Sequence, residues 1–584
     1  MRTKIILIAS AAVAAMALPA IAQNVAQPQP APATSAPTAA TPTPSPAVAA
    51  ATTAPDGGSD ESAVEEVSTV NLQAPSPPVE YPGWARRDPW TVGALNPADA
   101  GLYDEAWGQA NGAFLSTLMR RMQTPIASRW AHIALRNALL AKVHAPPNVQ
   151  PIDWVAERAW LLLRLGEADA ARMLIAGVDA DRFTPKMVQV AVQSALANAD
   201  PPALCPLEDG IHKYDAGIRN LVQAMCASLA GEPESAAAMI DQARRFGRIG
   251  GVDLTLAEKV VGAGANGRTT NVEWDPVDSL TSWRFGLATG TGLVPPDRLI
   301  DSASPRLRAF QARAPLLTAQ QRLPSAMIAA GLGVFSSQTM VDLYSAIYDS
   351  TDPSDLPETD AWQLRQAYVG KDLDTRLGAI RKLLGTGKGS LQKEAARALV
   401  ARAATLVPVD AKLGKDAPEL ISAMLAGGYD EAAARWIAAI GRMEDADADR
   451  SWAMLALGAP NIADVGTSRI NSFIRRDDSR DKVRSALLVA GLAGLGRIST
   501  DTANSLNRRY GLGLGHVTSW TKIIDSAAAR GQGGTVALLT GTGFQTTAFD
   551  RVPAAHLYHA VAALDHTGQG FTARMIAAEA LSRT

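Results

Sequence analysis

From about residue 97 onward, apolar residues recur at helical spacing and the turns between the runs are short. "LYDEAWGQANGAFLSTLMRRM" with "SRWAHIALRNALLAKV", and "IDWVAERAWLLLRL" with "ADAARMLIAGV", read as two successive helical pairs. Alternating runs rich in Val, Ile and Thr, the signal of strands, are nearly missing. The pattern therefore predicts an all-α body. The stretch "LLLRLGEADAARMLIAGVD", residues 161–179, shows the unit most clearly. Leu161–Leu165 closes one helix, Gly166 ends it, and Ala168–Ile175 runs back. Glycine suits the left-handed position just past a helix C-terminus, and the alanines let the two helices approach closely.

The same arrangement recurs around Gly231, Gly428, Gly458, Gly496, Gly531 and Gly568. The last five of these glycines are separated by 30, 38, 35 and 37 residues. Gly166 and Gly231 are 65 residues apart, with a turn predicted between them at Ala197–Asp200. The segments after the turns share an Ala-rich character, as in Ala171-Arg172-Met173, Ala434-Arg435-Trp436 and Ala573-Arg574-Met575. With this unit and a spacing scattered around about 34 residues, the chain resembles the tetratricopeptide-like helical-hairpin repeats. That resemblance implies a right-handed α-α superhelix. One hairpin cannot bury its apolar faces alone, so neighbours are expected to stack into a curved array.

The N-terminus adds a location. Arg2 and Lys4 precede the apolar run "IILIASAAVAAMAL", and Ala20-Ile21-Ala22 follows with Gln23 next. A basic start, a short apolar stretch and an A-x-A site describe a secretory signal peptide over residues 1–22, cleaved between Ala22 and Gln23. Its form and the Ala/Pro-rich composition point to a bacterial periplasm. No later stretch is apolar for long enough to span a membrane, so none is expected after signal removal. Residues 23–82 are rich in Pro, Ala, Thr and Ser and lack apolar periodicity, which predicts a disordered linker. The body then divides into an N-terminal helical-repeat region (83–247), a looser, Gly-rich central region (248–360) and a C-terminal repeat region (361–584).

Export changes how the two cysteines read. Cys205 lies in the Pro-rich loop "DPPALCPLEDG" and Cys226 in the helical pattern after it. In an oxidising compartment such a pair predicts a disulfide tying that loop to its helix. Cys–Cys metal spacing is absent. Formal net charge is −2 and the sequence pI about 6.4, which argues against a nucleic-acid partner.

The search for chemistry finds no catalytic, cofactor-binding or metal-binding residues. There is no H-E-x-x-H and no G-x-S-x-G. "GTGKGS" at 385–390 lacks the first glycine and the Ser/Thr of a phosphate loop and follows a helical pattern rather than a strand. His556 and His559 are one helical turn apart, with His566 beyond, and no third ligand is placed by spacing. The tryptophans Trp107, Trp130, Trp154, Trp160, Trp362, Trp436, Trp452 and Trp520 read as core residues filling gaps left by alanine. The acidic run "MEDADADR", 443–450, reads as a solvated turn. The expectation is a non-catalytic periplasmic scaffold whose partner is a protein or peptide of the cell envelope. Two alternatives are a peptidoglycan-active protein resembling the superhelical part of soluble lytic transglycosylases, and an architectural part of an envelope complex.

Overall fold

All the named elements of the described residues are helical: 28 α-helices and nine short 3-10 turns, with one isolated bridge between Leu95 and Ala141. The computed structural model describes residues 82–211, 216–264, 271–461 and 465–584. The expected signal peptide, its Ala22–Gln23 junction and nearly all of the linker lie outside the described residues. Arg87–Thr584 belong to one compact unit. Among the described residues no helix is long and apolar enough to cross a membrane.

One turn recurs along this unit. At Gly166 (φ 126°) the N–H of Glu167 donates to the carbonyl of Leu162, five residues back, at 2.9 Å. The equivalent bond runs from Glu232 to Ala227, Tyr429 to Met424, Arg497 to Leu492, Gln532 to Ala527 and Gln569 to Leu564. Each follows a glycine with positive φ, at 231, 428, 496, 531 and 568. This six-to-one bond is the signature of a Schellman cap, which satisfies a carbonyl the helix would otherwise strand. The expected turn at Ala197–Asp200 has it too: Ala199 stands at φ 52° and Asp200 N–H donates to Ala195. Gly101, Gly292 and Gly333, not singled out by spacing, have it as well, through Leu102 to Pro97, Leu293 to Ala288 and Val334 to Ala329.

Gly458 departs from this reading. It is the last residue of the helix Asp445–Gly458, and a Cβ there would sit 2.8 Å from Leu425 Cδ2. Its glycine serves close packing, not reversal. The same pressure is strongest at Gly331, where a Cβ would lie 2.1 Å from the Leu391 carbonyl oxygen. There two helices, Ala319–Leu332 and Ser390–Thr405, cross with backbone against side-chain-free backbone.

Most helices adjacent in sequence pack as neighbours, although Gly112–Arg121 packs on Pro151–Leu165 rather than on Arg129–Leu140, and the C-terminal ones return to the beginning. Helix Arg129–Leu140 lies against Gly533–Gly543 and Gly570–Ser582 and is buried at every position except Asn137. A polar knot holds this junction. The Glu579 carboxylate accepts from Ser128 Oγ (2.6 Å) and from the backbone N–H groups of Arg129 (2.8 Å) and Trp130 (3.2 Å). It thereby caps the first turn of a helix 450 residues earlier in the chain, where a negative charge is favoured. Arg583 Nη1 donates to the same carboxylate and to the Ala127 carbonyl, both at 2.6 Å.

Arg129 extends the knot to the middle of the chain. Its guanidinium donates to the carbonyls of Ala330 (3.0 Å), Ala426 (2.8 Å) and Phe335 (3.1 Å). Those oxygens lie at or just past the ends of helices Ala319–Leu332 and Ala417–Ala426, so one buried cation serves several helix C-termini at once. Burial lowers the Arg129 pKa, and the Glu394 and Glu579 carboxylates oppose that shift. Gly333 (φ 98°) sits directly over the Arg129 carbonyl, which a Cβ would approach to 2.8 Å.

Candidate functional site

The best-formed cleft lies in the C-terminal half and measures about 660 Å³, within the range of ligand sites. Six helices supply it, Gly570–Ser582 contributing Leu581 and Ser582. Arg397 comes from Ser390–Thr405, Glu419 and Ser422 from Ala417–Ala426, and Asp449, Arg450 and Met454 from Asp445–Gly458. Phe473 and Arg476 come from Thr467–Arg476, and Arg484 from Val483–Gly494. Ala453, Met454, Phe473 and Leu581 form an apolar floor beneath a rim of opposite charges.

Those charges are paired in two tiers. Arg476 grips Asp449 with both ends of its fork, Nε to Oδ2 at 2.6 Å and Nη2 to Oδ1 at 2.7 Å. Arg469 reaches the same carboxylate at 2.8 Å. Asp449 is buried while Arg476 reaches it from the exposed side, and the bidentate geometry orders the wall. The acidic run 443–450 is therefore only partly the solvated turn its composition suggested; from Asp445 it is the start of a helix, which turns Asp449 inward. Nearer the solvent, Glu419 is shared between Arg397 (3.2 Å) and Arg450 (3.0 Å), and Arg484 holds the exposed Asp478 at 3.2 Å. The Arg450–Glu419 and Arg484–Asp478 pairs contribute little stability, whereas Arg397 is largely buried and also donates to Glu394 and the Ser582 carbonyl. Asp477 belongs to the wall. Burial works against its charge, but hydrogen bonds from Ser485 and Ser479 outweigh it and hold the carboxyl below its usual range.

Ser422 stands where the cleft floor meets the Glu579 knot. Its hydroxyl is buried and makes no hydrogen bond within the protein. The cleft lining contains no histidine and no cysteine.

The residues singled out from sequence fall elsewhere. Cys205 and Cys226 face each other with sulfurs 2.01 Å apart and Cα atoms 5.6 Å apart, tying the Pro201–Leu207 turn to helix Ala216–Leu229. His556 packs on the Trp520 ring with centroids 4.3 Å apart, and its Nδ1 lies 3.2 Å from the Gly543 carbonyl. His559 Nδ1 pairs with Asp525 at 2.7 Å instead of turning toward His556, and His566 is exposed. Among the described residues no group of three or more His, Cys, Asp or Glu is gathered to hold a metal ion. Trp107, Trp154 and Trp436 are fully buried, Trp130 and Trp452 nearly so. Trp160, Trp362 and Trp520 are half-buried against the core. "GTGKGS" joins helices Leu373–Leu384 and Ser390–Thr405, with no strand before it.

Sequence reasoning missed the cleft because its members are scattered over nearly two hundred positions, from Arg397 to Thr584. Asp449 carried one usable signal: it lies four residues after Asp445 on the same helical face. No protein-family model, curated protein or solved structure matches this chain.

Proposed function

We propose that this chain is an exported helical-repeat protein that binds another polypeptide in the cell envelope and carries no catalytic centre of its own. The observation behind this reading is the cleft: an apolar floor with Met454 and Phe473, rimmed by Arg–carboxylate pairs. Arginine, methionine and aromatic side chains are the residues enriched in protein interfaces. A charged rim gives register and rate of encounter, while the floor supplies the buried contact. The recurring Schellman turns favour the tetratricopeptide-like array, here one whose first and last hairpins meet. The basic-apolar-small pattern of residues 1–22 and the paired cysteines favour the periplasm.

The test is site-specific photocrosslinking in periplasm. A crosslinker at Ala446, in the cleft, is expected to trap one discrete polypeptide that the same group at Arg530, outside it, does not trap. Arg450→Glu, which inverts one rim charge, should abolish that adduct while leaving the circular dichroism spectrum unchanged. Equal labelling from both positions, or release of muropeptides from peptidoglycan by the purified chain, would refute the reading.

A further inference from the structure

The turn between helices Pro233–Phe246 and Val252–Gly264 has an inner and an outer side. Ile249 packs inward against the core. The outer side is free of neighbours: a Cβ at Gly250 or at Gly251 (φ 58°) would meet nothing within 4 Å. Phe246, which ends the first helix, points to that side and is 82% exposed, the highest value for a large apolar side chain on any described α-helix. Its helix is seated without it, through the buried Ala236, Ile240 and Ala243. A phenyl ring kept in water forgoes the burial that usually accounts for an aromatic side chain.

The surroundings of Phe246 are basic, the segment 241–248 reading "DQARRFGR". Arg244 pairs with Asp241 at 3.1 Å and with Glu258 at 2.6 Å, and Lys259, next to Glu258, completes the balance of those two carboxylates. Asp253, at the start of the second helix, is held by the Arg284 fork at 2.9 and 2.8 Å. Every carboxylate from 241 to 259 is thus matched by a cation other than Arg245 and Arg248. Those two are exposed, and neither has a carboxylate partner among the described residues. The helix dipole accounts for basic residues in a last turn. It does not account for an apolar ring left in water between them.

The feature is a projection, not a groove. A folded acidic partner would have to offer a pocket shaped to the ring. The interface of a bilayer needs no such pocket, because it yields to an apolar tip of any shape. Its phosphates lie just above the acyl boundary, at the level where guanidiniums flanking a buried ring come to rest. Anionic lipids add attraction for each arginine near the surface. Apolar tip, flanking positive charge and absence of neighbours therefore fit the same occupant.

We propose that this turn docks the protein on a bilayer surface carrying anionic phospholipids, with Phe246 entering the acyl boundary and Arg245 and Arg248 on the phosphates. The contact is peripheral, since no described helix is long and apolar enough to cross a membrane. Which membrane is met follows from the proposed export; the contact itself depends neither on that reading nor on the polypeptide cleft.

The test is co-sedimentation of the full chain with vesicles of phosphatidylglycerol and phosphatidylcholine in equal parts, against phosphatidylcholine alone. Partition should favour the anionic vesicles and weaken in high salt. Phe246→Ser and Arg245→Glu should each lower it by about tenfold. Arg530→Glu, at an exposed arginine elsewhere, should leave it unchanged. The tip side chains are exposed, so both tip variants should keep the parent melting temperature. A second readout follows insertion directly. Cys205 and Cys226 are bonded to each other, so Phe246→Cys can be labelled alone with nitrobenzoxadiazole. Its emission should shift to the blue with anionic vesicles, and that of the same dye at the exposed Ser505→Cys should not. Equal partition of the parent and both tip variants, no preference for anionic lipid, or equal dye response at both positions overturns the proposal. So does binding of polyglutamate without binding of vesicles, which would assign the tip to an acidic polypeptide.

Discussion

Arg129→Met isolates the contribution of the one guanidinium that ties the helix beginning at Arg129 to the middle of the chain. Methionine keeps much of the length of the side chain and removes the fork. Three carbonyls lose a donor, but not equally. Ala330 O still accepts the Gly333 N–H at 3.1 Å, whereas Ala426 O and Phe335 O lose the guanidinium contacts of 2.8 and 3.1 Å. Each buried acceptor left without a donor costs about 1–3 kcal/mol. Glu579 keeps Arg583, Ser128 and two backbone N–H groups, so its own loss is moderate. Removing the buried cation also relieves its desolvation. The sum is a loss of about 3–5 kcal/mol, the usual cost of removing one partner from a buried ionic cluster. Arg129→Lys keeps the charge but not the three-way geometry, so it should lie between methionine and the parent. Because a body of this size need not unfold in one step, native-state hydrogen exchange is the better assay. Amides of Arg129–Leu140 and of the ends of Ala319–Leu332 and Ala417–Ala426 should open more easily by that amount, while those of the distant helix Ala216–Leu229 should not change. A loss under about 1 kcal/mol would refute the Arg129 guanidinium as a fastening between these helices, as would Arg129→Lys behaving like the parent.

Further outcomes are expected elsewhere. Reduction of Cys205–Cys226, which closes a loop of 21 residues, should lower stability by about 3 kcal/mol, read as a drop in melting temperature on adding reductant; denatured, unreduced protein should show no free thiol to alkylation. Gly231→Ala adds a Cβ into open space at φ 87°, so it should cost about 1–2 kcal/mol, whereas Gly333→Ala also meets the Arg129 carbonyl and should cost more; equal midpoints in urea would contradict this. Burial lowers the His556 pKa below 6.5, aided by the charges of His559 and His516 and opposed by the bond to Gly543. The unfolded chain then binds the proton first, so this contribution is complete above pH 6.5 and is lost as pH falls through 6.5 toward the folded value. His556→Phe should flatten that slope in urea midpoints measured from pH 8 to 5, and an unchanged slope would remove His556 as its source.

The repeating turn was legible in the chain because a Schellman cap makes a local demand. One residue must take positive φ, glycine meets that demand cheaply, and the flanking apolar runs mark where it falls. The turn at Ala197–Asp200 was located from its Asn and Asp, but the positive φ expected of one of them falls on Ala199 between them. Gly458 was misread for an equally local reason: spacing cannot separate a glycine that turns the chain from one that admits Leu425. Beyond the spacing of Asp445 and Asp449 the cleft left no trace, since Asp449, Arg476 and Glu419 become neighbours only after several helices have packed.

Sequence alone determined the helical class, the places where most hairpins reverse and the two cysteines available to pair, because each is decided by residues within a few turns of one another. Tertiary structure alone decided that Glu579 would cap the helix beginning at Arg129, and that Arg129 would serve carbonyls about 200 and 300 residues away. A buried charge is stable only where its partners converge in space, and convergence over such distances belongs to the packing of the whole chain.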